Sequence, residues 1–161
     1  MQFNVKYIRA EAKRLCRRPL NENKGDITMI KLIVGLKGTG KTKTLIEMVN
    51  SATSSSNGAV VCLEKGDKLR FDVTYKARLM DTSEYGISGA DALYGFVCGI
   101  YASNHDITHI FIDSAMKMCD DTVEGLAKFF RPAVAFAEKA GIDLVLTSSV
   151  NEDDLPEDLK A

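Results

Sequence analysis

Short apolar runs alternate along the chain with longer segments in which apolar residues recur every three or four positions. Residues 30–34, 59–63, 108–113 and 142–146 are nearly continuous apolar runs, the pattern of strands buried on both faces of a parallel sheet. Residues 77–81 are a fifth and less apolar strand, which we place at a sheet edge. Strands that alternate with helices predict an α/β fold in three layers, with a mostly parallel sheet of about five strands.

Helical spacing marks three segments between these runs. Residues 44–49 follow the first run, residues 88–103 precede the third, and residues 123–140 precede the fourth. We expect Pro132 to kink the last of these helices and Gly141 to end it.

Three further segments read as irregular. Residues 51–58 are small and polar, which is typical of a loop that ends the first helix. Residues 69–79 alternate apolar and charged side chains, which indicates half-exposed, extended chain. Residues 151–161 are acidic, and we expect this tail to fray.

Residues 35–42 read Gly-Leu-Lys-Gly-Thr-Gly-Lys-Thr, a complete G-x-x-x-x-G-K-S/T loop between a predicted strand and a predicted helix. The glycines permit positive φ values and leave space for phosphate, while N–H groups at the helix start bind the anion. In this motif Lys41 reaches the β- and γ-phosphates and the Thr42 hydroxyl binds Mg²⁺. The motif therefore predicts a P-loop NTPase fold. The predicted nucleotide-binding residues are Gly35, Gly38, Thr39, Gly40, Lys41, Thr42 and Lys43.

A carboxylate, Asp113, ends the apolar run 108–113 downstream of this loop. An aspartate in that place holds Mg²⁺ through water, beside the loop threonine. We therefore predict Thr42 and Asp113 as the metal-binding residues, with ATP and Mg²⁺ as the cofactors.

Hydrolysis of a bound nucleotide would require a group that orients or deprotonates the attacking water. The position after Asp113 is Ser114, which cannot act as that base. Glu64 ends the run 59–63, so we predict Lys41 and Glu64 as catalytic residues; the alternative for Glu64 is a solvated charge at a strand end. Thr147 and Ser148 follow the last apolar run and would contact the γ-phosphate, unless they only begin a loop.

Composition places the chain among ordinary globular proteins. It has 161 residues, enough for one domain, with 45% hydrophobic and 27% charged residues. Its apolar stretches are far shorter than the roughly 20 residues that a membrane helix needs, so no membrane span is predicted. The four cysteines form no C-x-x-C motif, and Cys62 and Cys98 lie in apolar segments and read as buried reduced thiols, which predicts a cytoplasmic protein.

The first 28 residues differ in charge from the rest. They hold seven Lys and Arg residues against three Asp and Glu residues, whereas the acidic body offers no evident surface for nucleic acid. Lys24-Gly25-Asp26 can be encoded by a purine-rich ribosome-binding sequence a few codons before Met29. We therefore predict a basic leader at 1–28, outside the native product, and a P-loop NTPase domain at 29–161. The alternative is a basic amphipathic helix that binds membrane or nucleic acid.

Residues 29–160 resemble small stand-alone bacterial P-loop ATPases that are often labelled twitching-motility-like. The similar stretches are 30–42, 81–85 followed by 91–95, and 106–113. The resemblance implies an ATP-binding core of RecA-like or AAA+-like layout. It does not imply pilus retraction, because the sequence shows none of the His and Asp boxes of retraction ATPases.

Together these observations predict an ATP·Mg²⁺-binding P-loop NTPase with slow hydrolysis, an unidentified protein partner and the capacity to form oligomers. Two alternatives stay open from the sequence. One is a nucleotide-binding regulatory or adaptor module without turnover, favoured by Ser114. The other is a small-molecule kinase, although the sequence has no Arg-rich lid segment.

Overall fold

Five parallel strands and one antiparallel edge strand form the central sheet, in a computed structural model that describes residues 6–9 and 28–160. The strands are β1 (Lys6–Arg9), β2 (Ile30–Val34), β3 (Ala59–Glu64), β4 (Arg78–Asp81), β5 (Ile107–Ile112) and β6 (Asp143–Ser148). Their order across the sheet is β1-β2-β6-β5-β3-β4, and among these described strands β1 alone runs antiparallel to its neighbour. The predicted α/β fold with a mostly parallel sheet of about five strands is thereby confirmed.

Helices cover both faces of this sheet, because alternate residues of each buried strand point to opposite sides. The helices are α1 (Lys41–Ser55), α2 (Ala90–Ser103), α3 (Ala115–Met118), α4 (Val123–Ala140) and α5 (Glu157–Lys160), with 3-10 turns at Thr82–Tyr85 and Glu152–Asp154. One core lies between the sheet and α2, α3 and α4, and it includes Leu63 and Ile112. The other core lies under α1 and the 65–77 connection, and it includes Cys62 and Phe111.

Three predictions about irregular segments are wrong. Residues 69–72 form a turn, in which the N–H groups of Asp72 and Val73 donate to the Leu69 carbonyl, and the chain is a strand only from Arg78. The other two wrong predictions concern the end of the first helix and the tail. The first helix continues through Ser55, so residues 51–55 are helical, and Ala52 is buried against the sheet. The tail is not frayed through residue 160, because Leu155 and Leu159 are buried in the core beside α4. In both segments a few small or apolar residues find tertiary contacts that composition alone does not reveal.

The region of residues 1–28 is described only at Lys6–Arg9 and at residue 28. Lys6–Arg9 form the edge strand β1, with Lys6 opposite Val34 and Arg9 opposite Lys31. The alternative of a basic helix is therefore wrong for these four residues. The prediction that 1–28 is a leader otherwise lies outside the described residues.

Candidate functional site

The loop between β2 and α1 has the backbone shape that its glycines permit. Gly38 (φ 83°) and Gly40 (φ 87°) lie in the left-handed region, which side chains other than glycine rarely adopt. A Cβ at either position would meet no atom within 4 Å, so the space over the loop is open. Gly40 is also the N-cap of α1 and has no side chain to accept hydrogen bonds from the first turn. An anion can take that place, because the N-terminus of a helix attracts negative charge.

Lys41 lies inside this loop and is only 7% exposed. Its Nζ donates hydrogen bonds to the carbonyl oxygens of Gly35 (2.9 Å) and Leu36 (2.7 Å). Burial lowers the pKa of Lys41, the Asp113 carboxylate raises it, and the positive charge of Lys117 lowers it. A phosphate in the loop would give the buried ammonium the negative partner that loop carbonyls only partly replace.

Thr42 and Asp113, which lie 71 positions apart in the sequence, are in contact. The Thr42 hydroxyl donates to Asp113 Oδ1 at 3.0 Å, and the Thr147 hydroxyl donates to the same oxygen at 2.7 Å. Thr147 Oγ1 in turn accepts from the Ser114 N–H at 2.8 Å. This network joins the first turn of α1 to the carboxyl ends of β5 and β6. It brings together both predicted metal-binding residues.

These residues fit Mg²⁺ only in combination with a phosphate. The described part of the chain has no group of three His, Cys, Asp or Glu side chains that could hold a metal by itself. One carboxylate and one hydroxyl suit Mg²⁺, since this ion is usually held by one or two protein oxygens, phosphate oxygens and water. Thr42 and Asp113 would hold the ion, which would neutralise charge on the phosphates.

Ser114 adopts a left-handed conformation with φ 54°, which costs a residue with a Cβ about 1–2 kcal/mol. This turn ends β5 and begins α3 directly beside Asp113. The Ser114 hydroxyl donates to Asp113 Oδ2 at 3.3 Å. Strained backbone of this kind is concentrated at functional sites, where the surrounding contacts hold it.

Glu64 lies at the carboxyl end of β3, and it is buried, with 3% exposure. Its two carboxylate oxygens accept from the Leu69 N–H at 3.2 and 3.1 Å, so it caps the turn that follows the strand. Burial raises the pKa of Glu64, against the effect of the backbone hydrogen bonds. The neighbouring strand ends beside it, since the Asp113 N–H donates to the Leu63 carbonyl at 2.9 Å. The assigned role in positioning water stays a prediction.

The other predicted site residues lie around the loop. Thr39 donates to the Leu36 carbonyl at 2.8 Å and Lys43 is exposed on the first turn of α1. Ser148 pairs with Val34 in the sheet, and its buried hydroxyl has no hydrogen-bond partner among the described residues. The contact of Thr147 and Ser148 with a γ-phosphate stays a prediction.

An open hollow of about 450 Å³ lies apart from this site, along α1 and the sheet beneath it. Met29, Met48 and Phe111 contribute its apolar lining, and none of residues 35–43 lines it. The hollow therefore contains none of the predicted nucleotide-binding residues in its lining.

Comparisons with known proteins add no identification: no protein-family model matches the chain, and no curated protein is significantly similar to it. Within the described residues, no helix has both the length and the apolar composition of a membrane span.

Proposed function

We propose that this protein binds ATP together with Mg²⁺ in the loop of residues 35–42. The hydrogen bond between Thr42 and Asp113 carries this proposal, because it unites the last residue of the loop motif with the carboxylate that ends β5. A glycine loop alone would bind an anion. A loop with a hydroxyl and a carboxylate in contact would also hold the metal that accompanies a nucleotide polyphosphate.

Binding would require a rearrangement of Lys41. Its ammonium would leave the carbonyls of Gly35 and Leu36 and turn toward the β- and γ-phosphates. The exchange is favourable because the buried ammonium then has an anion, rather than two neutral carbonyl groups, as its partner.

Slow hydrolysis is part of the proposal, with Glu64 as the group that positions water. A raised pKa brings a carboxylate closer to the range in which a general base is effective. The second candidate function is a nucleotide-binding regulatory module without turnover. It is favoured by the contact of both Glu64 oxygens with the Leu69 N–H, which occupies the carboxylate in a structural role.

The proposal also includes a cellular compartment and a binding partner. The described cysteines, Cys62, Cys98 and Cys119, are free thiols, which supports a reducing compartment such as the cytoplasm. A protein partner or a second copy of the chain would recognise the nucleotide-bound form of the protein, as a regulatory module requires.

The decisive experiment is calorimetric titration with ATP and Mg²⁺, using the wild type and Lys41→Ala. The substitution removes a charge-assisted phosphate contact, so affinity should fall by about tenfold or more. Lys139→Ala is the matched control, because Lys139 is exposed in the last turn of α4, distant in sequence from the loop. Equal affinity of Lys41→Ala and the wild type would contradict the proposal.

A further inference from the structure

A second lysine lies close to the phosphate loop, on the short helix that follows Asp113. The left-handed turn at Ser114 sends the chain into α3 (Ala115–Met118), and Lys117 is exposed on this helix. Lys65, at the end of the neighbouring strand β3, donates from Nζ to the Lys117 carbonyl at 3.3 Å. Lys65 and Lys117 therefore follow the carboxyl ends of β3 and β5, and the contact between them joins these two strand ends.

The charged groups around Lys117 leave its ammonium available to bind an anion. Lys117 is near enough to Lys41 for its positive charge to disfavour the protonated form of that residue. Among the described residues, Lys117 forms no ion pair with a carboxylate. The nearby carboxylates accept hydrogen bonds from elsewhere: Asp113 from three hydroxyls, Glu64 from the Leu69 N–H and Asp81 from the Gly66 N–H.

We propose that Lys117 binds the terminal phosphate of a nucleoside triphosphate seated in the 35–42 loop and thereby gives the site a preference for triphosphate over diphosphate. This inference rests on the proposed function. The contact between Thr42 and Asp113 holds the start of α1 against the end of β5, so a phosphate chain seated in the loop would lie above that strand end. α3 begins two residues beyond Asp113, so Lys117 follows the strand end over which that phosphate chain would lie.

Electrostatics gives this arrangement its selectivity. Two neighbouring ammonium groups repel one another until an anion lies between them, and the γ-phosphate supplies that charge. A lysine is suited to the task, because its flexible stem carries a compact charge with three donors. The diphosphate lacks the group that would lie between the two lysines. Such discrimination is what a nucleotide-dependent switch needs, since a ligand acts on a switch only through unequal affinity for its states.

The test compares affinities for ADP and for a non-hydrolysable ATP analogue, each with Mg²⁺, in the wild type, Lys117→Ala and Lys139→Ala. For Lys117→Ala we expect analogue affinity to fall about tenfold, which corresponds to 1.4 kcal/mol, and ADP affinity to change less than about twofold. Lys139→Ala removes the same charge from an exposed position on α4 and should leave both affinities near the wild-type values. Melting of each variant checks that the fold is intact.

The outcomes separate this inference from the function on which it rests. Lys41-dependent binding with an unchanged preference in Lys117→Ala would overturn the role of Lys117 and keep the phosphate site. An equal loss for both nucleotides would also overturn it, because Lys117 would then act on charge in general or on folding. A wild type that binds neither nucleotide would overturn both proposals.

Discussion

At the scale of single residues, the candidate site depends on ionisable side chains that are buried, as in Lys41 and Glu64, or half-buried, as in Asp113. Lys41 is held by carbonyl oxygens, Asp113 by three hydroxyls, and Glu64 by one backbone N–H. Among the described residues, each of these groups has hydrogen-bond partners but no salt bridge. A ligand of opposite charge would therefore stabilise such a group, because an incompletely compensated charge is costly where water is excluded.

Glu64→Gln separates the catalytic and structural roles of this carboxylate. If Glu64 positions water, phosphate release should fall by about 10²–10⁴-fold, while ATP affinity stays nearly constant. The amide oxygen of glutamine can still accept from the Leu69 N–H, so the turn after β3 keeps its cap. The measurement is steady-state phosphate release beside ATP titration. An unchanged rate in the variant would leave Glu64 with the capping role alone.

The same variant should change how stability depends on pH. The folded state raises the pKa of Glu64 above its ordinary value of 4.5, so folding favours the protonated form. This contribution to stability is fully present below pH 4.5 and is lost as pH rises through the raised pKa. Relative to the wild type, Glu64→Gln should therefore gain stability as pH rises above 4.5, as measured by urea unfolding at a series of pH values. A constant difference across that range would show that the pKa of Glu64 is not raised.

At the scale of elements, glycines have opposite roles in the two long helices that cover one face of the sheet. In α2, Gly95 is exposed and a Cβ there would meet no atom within 4 Å. In α4, a Cβ at Gly125 would overlap the carbonyl oxygen of Cys119, because the chain before the helix crosses closely over its first turn. The sequence alone treats both positions as equally unfavourable for a helix.

Matched alanine substitutions test this difference. Gly95→Ala should raise the free energy of unfolding by about 0.5–1 kcal/mol, since alanine loses less backbone entropy in a helix. Gly125→Ala should lower it by about 1–3 kcal/mol, because the backbone must move to admit the methyl group. Urea unfolding of both variants is the measurement. Stabilisation by Gly125→Ala would show that the crossing at Cys119 is looser than the structure indicates.

At the scale of the whole molecule, the sheet is built from residue 30 onward, and β1 is added at its edge. Within residues 28–160 the buried core residues begin at Ile30, and Met29 packs against the core under α1. The N–H of Met29 donates to Asp143 Oδ1 at 2.7 Å, so the amino end of β2 is attached to β6 independently of β1. The pairing of β2 with β6 therefore does not use the basic segment.

A chain that begins at Met29 should keep the fold and the nucleotide site. We expect its melting temperature to lie within about 4 °C of the full chain, the shift that corresponds to roughly 1 kcal/mol at this size. The new amino group would carry a positive charge next to Asp143, which strengthens that hydrogen bond. Asp143→Asn should consequently cost more stability in the shortened chain than in the full one. A much larger melting shift would show that β1 is an essential part of the sheet.

The sequence by itself determined the features that depend on neighbouring residues. Continuous apolar runs gave the parallel strands to within one or two residues, and the predicted range 123–140 is the observed α4. The glycines of residues 35–42 specified their own backbone shape. These features could be predicted because a periodic pattern or a missing Cβ acts locally.

Tertiary structure decided everything that joins distant segments. It alone brought Thr42 and Thr147 to one oxygen of Asp113, turned Glu64 toward Leu69, and placed Lys117 near Lys41. It also made a helix end of residues 51–55 and buried Leu159. The physical reason is that burial, charge and hydrogen-bond partners depend on which strand ends meet at the sheet edge. That depends on the order of strands in the sheet, which differs from their order in the chain.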